Sequence, residues 1–115
     1  MTDGTDRTAA GAGPRSLLVS HEELEQAVGS DAYAIVDVRE PDEYADGHVP
    51  GAVNLPLSRF DPDLLPADKH VVLICKSGGR SANALQRALA AGLEDIGHYA
   101  GGTLGWLGRG GNVER

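Results

Sequence analysis

The chain of 115 residues contains a single cysteine, Cys75. It cannot close an intramolecular disulfide, and a free thiol points to a reducing compartment, with the cytoplasm as the default. Positive charge is also scarce, with ten Lys and Arg against 17 Asp and Glu and a formal net charge of −7. That balance argues against nucleic acid or an anionic membrane surface as a partner. No apolar run approaches the ~20 residues of a membrane span. Met1 to Arg7 leads into no apolar stretch, so no secretory signal is expected. There is no internal repeat. His21, His70 and His98 show no metal-ligand spacing with Cys75 or with each other, so neither a metal nor a cofactor is expected.

What is present is ordinary globular composition, 41% hydrophobic and 23% charged, enough for one domain with one core. Residues 1–15 lack periodicity and read as a disordered tail, leaving 16–115 as the domain. Strands are expected at 17–19, 33–38, 52–55, 71–74 and 96–99. Helices are expected from Ser20, which caps a segment ending at Gly29, with Glu23 completing a capping box. A short helix should follow with Pro41 as its first residue, then a longer one at about 80–91 and a last one at 103–107. Residues 56–66 read as irregular with one helical turn, and 108–115 as a polar tail. Strands alternating with helices predict an α/β fold with a small, mainly parallel five-stranded sheet covered on both faces.

Cys75 stands where the fourth strand ends and the long helix begins. In such sheets sites form at the carboxyl ends of strands, and a helix start offers unpaired N–H groups and partial positive charge. Gly78 and Gly79 let the backbone curl so that N–H groups converge, and Lys76 and Arg80 add two cations. A thiol in that setting should ionise below the free value of about 8.5. The run Cys75-Lys76-Ser77-Gly78-Gly79-Arg80 therefore reads as a thiolate nucleophile in an anion cradle, with Ser81 following. Asp37 and Arg39, at the end of the second strand, read as supporting residues that pair with backbone or with Glu43 and brace the loop's base. His48 reads as a brace within a turn, and Trp106 as a core anchor for the last helix.

Three segments together resemble the rhodanese domain in its single-domain form. The first is Asp37-Val38-Arg39-Glu40, with Glu43-Tyr44 and the run from Gly47 to Pro56. The second is the loop from Cys75 to Ser81, and the third is Gly101-Gly102, Trp106 and Val113-Glu114. The resemblance covers roughly residues 17–114. It implies a thiosulfate sulfurtransferase-like enzyme in which Cys75 takes a sulfane sulfur, holds it as a persulfide and passes it to a thiophilic acceptor. Lys76, Ser77, Gly78, Gly79 and Arg80 would bind the anionic sulfur. The acceptor could be cyanide, a small thiol or a partner protein's cysteine. Two departures stand out. Some two-domain relatives carry an extra arginine for thiosulfate where this chain has Glu43, so that thiosulfate contact is not expected here. A proline usual near the C-terminal end is replaced by Asn112.

Two other readings compete. A cysteine phosphatase or arsenate reductase also uses a strand-end cysteine, a loop of N–H groups and an arginine, but its loop is one residue longer and wraps a tetrahedral oxyanion. The other is a non-catalytic module of the same fold that binds a partner or carries sulfur; domains used for binding alone often lack the loop cysteine, which is present here.

Overall fold

Hydrophobic residues in the central strands alternate between two faces, and each face carries its own helices. The computed structural model describes residues 17–115. The tail expected at 1–15 lies outside the described residues. Four strands form one sheet: β1 (Tyr33–Asp37), β2 (Val53–Asn54), β3 (His70–Ile74) and β4 (Ile96–His98). All pair in parallel in the order β2-β1-β3-β4. The β1–β3 register sets Asp37 opposite Ile74, so the ends of both central strands lie on one rim.

Helices α1 (His21–Ala27), α2 (Pro41–Ala45), α3 (Gly79–Ala90) and α4 (Gly102–Gly108) complete the fold. On one face Leu24 and Ala27 of α1 and Trp106 of α4 pack with Ile35, Val72 and Ile74. On the other, Ala84, Leu85 and Ala88 of α3 pack with Val36, Val71, Leu73 and Cys75. Cys75 thus continues the alternation of β3 and turns toward α3. Each fully buried aliphatic side chain of β3 contributes on the order of 1.5–3 kcal/mol, which anchors the strand beneath the loop.

The fifth strand expected at 17–19 is not a strand. It is one parallel bridge, Leu18 to His98, with Val19 N–H donating to the His98 carbonyl and His98 N–H to the Leu17 carbonyl, each at 2.9 Å. The reason is local: Ser20 accepts the Glu23 N–H at its side chain (3.0 Å) and turns the chain into α1 before a ladder can extend. The irregular stretch holds two 3₁₀ turns, Leu57–Arg59 and Pro62–Leu64, rather than one.

The C-terminal segment is docked rather than a free polar tail. Glu114 and His48 exchange backbone hydrogen bonds at 2.8 and 2.9 Å, and the Trp106 indole N–H donates to the Asn112 carbonyl at 2.6 Å. A buried indole N–H needs an acceptor, and the returning chain supplies it. His48 braces the fold, stacked on Tyr44 with ring centroids 3.7 Å apart.

Candidate active site

The Cys75 loop is held from below and from the side by backbone. Val38 N–H donates to the Ile74 carbonyl at 2.9 Å. The first turn of α4 then uses its free N–H groups: Thr103 N–H and hydroxyl donate to the Cys75 carbonyl at 2.8 and 3.1 Å, and Leu104 N–H to the Lys76 carbonyl at 3.1 Å. This close seat requires Gly102, because a Cβ there would overlap the Lys76 carbonyl. Gly78 is required for two reasons: its φ is +105°, in the left-handed region, and a Cβ would run into the Ala100 carbonyl. Gly79 is different. It begins α3 with open space around its Cβ position, so the curl comes from Gly78 alone and not from both glycines.

Cys75 is 1% exposed, more covered than the sequence suggested. Gly78 N–H donates to its sulfur at 3.1 Å, and Ser81 Oγ lies 3.5 Å from it. Burial pushes the thiol's pKa up, but hydrogen bonding outweighs it: first from the Ser81 hydroxyl, then from the backbone N–H groups of Ser81, Gly78 and Ser77. The net result lies below the ordinary thiol range.

The two cations contribute differently from expectation. Arg80 forms a bidentate pair with Glu43, Nη1 to Oε1 at 2.6 Å and Nη2 to Oε2 at 3.0 Å. That pair, against the opposing effect of burial and with help from the Glu40 N–H, lowers Glu43 to about 2. The same pairing dominates Arg80, and the Cys75 charge ranks behind it. Lys76 is exposed and, among the described residues, has no ionic partner. The loop's positive charge is therefore half neutralised, and the sulfur is held mainly by neutral dipoles. Sequence reasoning had Arg80 facing the anion because charge spacing alone does not reveal that α2 brings Glu43 beneath the guanidinium.

Asp37 and Arg39 brace the base, though not through Glu43. Arg39 Nη2 donates to Asp37 Oδ2 and to the Gly47 carbonyl, both at 2.7 Å, and Arg39 N–H donates to Asp37 Oδ1 at 3.0 Å. Asn54 ties the same segment by donating to the Asp37 and Arg39 carbonyls, each at 2.9 Å. Beside the loop, Arg39, Glu43, Lys76, Leu104, Leu107 and Arg115 help line a cleft of about 340 Å³.

Three participants escaped the sequence: Thr103, His98 and the role of Ser81. Ser81 was visible six positions after Cys75, where the first turn of a helix could return a hydroxyl to the sulfur. His98 had no local signal, since only the β3–β4 pairing brings it to Ser81.

A family model described as the rhodanese-like domain matches residues 20–109. The chain belongs to the rhodanese-like family. An uncharacterized Synechocystis sp. protein, slr1261, is 44% identical over 93 residues, covering 79% of this chain. The chain spans only about half of that relative's length, 52%. The human thiosulfate:glutathione sulfurtransferase is 33% identical over 105 residues, covering 77% of this chain and 91% of its own. Among solved structures, the human single-domain sulfurtransferase TSTD1 superposes with a TM-score of 0.71 at 31% identity, covering 83% of this chain and 98% of that one. Among the described residues, no helix of this rhodanese-like chain is long and apolar enough to cross a membrane.

Proposed function

We propose that this protein is a sulfurtransferase that carries a sulfane sulfur on Cys75, in a reducing compartment such as the cytoplasm. The observation that carries the reading is the buried sulfur held by the Gly78 N–H and Ser81, with its pKa below the ordinary thiol range. The names of the human relatives, which are sulfurtransferases, support the reaction class.

In the first half-reaction the Cys75 thiolate attacks the outer sulfur of a donor. A new S–S bond forms, the donor's own bond to that sulfur breaks, and its electron pair leaves with the thiol or sulfite product. In the second, an acceptor nucleophile attacks the terminal sulfur of the persulfide and Cys75 departs as thiolate. N–H groups from Ser77, Gly78 and Ser81 and the Ser81 hydroxyl face the anion in both states. With one cysteine in the chain, the acceptor must be external: a small thiol, cyanide or a partner protein's cysteine.

The rim favours one donor class. With Arg80 engaged by Glu43, Lys76 is, among the described residues, the Cys75 loop's one cation without an ionic partner, a poor match for dianionic thiosulfate and a better one for a low-molecular-weight persulfide. The test is intact mass after incubation with thiosulfate, mercaptopyruvate or such a persulfide. The persulfide should add about 32 Da to Cys75 most readily, and cyanide or thiol should remove it. Cys75→Ser should abolish loading while keeping the fold. No added mass from any donor, or turnover by a folded Cys75→Ser protein, would overturn the proposal.

A further inference from the structure

Ser81 is fully buried, and its hydroxyl has one proton but three neighbours within reach. The Gly78 carbonyl is 3.2 Å from Oγ, the Cys75 sulfur 3.5 Å and His98 Nδ1 2.9 Å. Where that proton points decides whether Ser81 helps the sulfur at all. The Gly78 carbonyl can only accept, and it already receives the Ala82 N–H at 3.0 Å. A hydroxyl turned there serves the helix and leaves the sulfur without its donor.

His98 is the nearest of the three and is itself 7% exposed. Burial holds its pKa below the usual range, so the ring is neutral at pH 7 and carries one N–H. If Nδ1 is bare, it attracts the Ser81 proton away from Cys75. If Nδ1 carries the proton, it donates to Oγ and fills one of the oxygen's lone pairs. The hydroxyl proton must then turn to the Gly78 carbonyl or to the sulfur. An anionic sulfur wins that competition, because hydrogen bonds to a charged acceptor are roughly twice as strong as neutral ones.

We infer that His98 is a positioning residue whose Nδ1–H donates to Ser81 Oγ and so turns the Ser81 hydroxyl onto the sulfur of Cys75. The two ends select each other: a thiolate or persulfide draws the Ser81 proton, and an oxygen thus committed as donor favours the Nδ1–H tautomer of His98. The inference rests on Cys75 being the sulfur carrier only for its use, not for its test. Thiolate formation can be read without any sulfur transfer.

The test follows Cys75 alkylation against pH in His98→Ala and His98→Asn, each also made in a Ser81→Ala background. His98→Ala should move the thiolate midpoint upward by about half a pH unit or more. His98→Asn, whose amide can place an N–H near the position of Nδ1, should restore most of the shift. In the Ser81→Ala background the His98 substitution should have no further effect, since the coupling runs through Oγ. An unchanged midpoint in His98→Ala, an undiminished shift in His98→Asn, or a full His98 effect without Ser81 would each overturn the inference. Should the variants fail to fold, ring ¹⁵N shifts of His98 in the parent protein decide the matter. They should show Nδ1 protonated while Cys75 is thiolate, and a bare Nδ1 under that condition would overturn it.

Discussion

The inner wall and the outer rim of the Cys75 loop lie side by side but use different physics. The inner wall is the backbone of Ser77, Gly78 and Ser81 with the Ser81 hydroxyl; these N–H groups and that one hydroxyl converge on the sulfur. The outer rim carries the charges, and one of the loop's two cations is engaged in the Glu43–Arg80 pair, whose side chains remain about a third exposed (31% and 34%). Fixed dipoles in a water-poor site stabilise a buried anion effectively, whereas an exposed ion pair contributes about 0–1 kcal/mol. The difference teaches that counting cations around a cysteine overstates their part in activating it.

The hardest way to break the inner wall is through its backbone. Gly78→Ala forces an L-residue into φ +105° and against the Ala100 carbonyl. It should cost about 2 kcal/mol or more and collapse sulfur loading, while Gly79→Ala, with open space at its Cβ, should change neither by much. Chemical denaturation and a loading assay on the pair check this. Equal behaviour of the two would remove the distinction between them.

Ser81→Ala keeps the backbone and deletes the one side-chain donor. Removal of a single such donor costs roughly 10²–10³ in rate at related anion sites, and a loss toward the lower end is expected here because three N–H groups remain. Stopped-flow loading of the persulfide donor measures it. A rate within a factor of about two of the parent would mean that Ser81 is structural.

The rim should show a smaller effect, and on stability rather than chemistry. Glu43's pKa in the folded chain falls from 4.5 to about 2, mainly through Arg80. A depressed carboxylate contributes stability above its unfolded value and loses it as pH falls through the folded one. The melting-temperature advantage of the parent over Glu43→Gln should therefore shrink between pH 4.5 and about 2 and be constant above that window. An advantage unaltered across the window would show that the Arg80 pair is not its source.

Much of this contrast was legible in the sequence. The apolar run before Cys75, the glycine after it and the Ala-rich helix behind it are local signals, and they located the strand, the turn and the helix start around Cys75. Pro41 likewise marked the start of α2. What escaped depends on pairing between distant elements. Glu43 reaches Arg80 because α2 lies across the rim from α3, and His98 reaches Ser81 because β4 pairs with β3. The fifth strand failed for a local reason that was in plain view: the Ser20 cap ends the extended run one residue after Val19. The docking of Asn112 and Glu114 was hidden because polar composition does not distinguish a free tail from one that satisfies a buried indole.

The central claim is that the inner wall, not the rim, makes the Cys75 thiolate. The most direct measurement is the midpoint of Cys75 alkylation against pH in the parent, Ser81→Ala and Arg80→Ala proteins. The parent should titrate below the free value of about 8.5, Ser81→Ala should move clearly upward, and Arg80→Ala should stay close to the parent. A parent midpoint at or above about 8.5, or a larger shift in Arg80→Ala than in Ser81→Ala, would contradict the account.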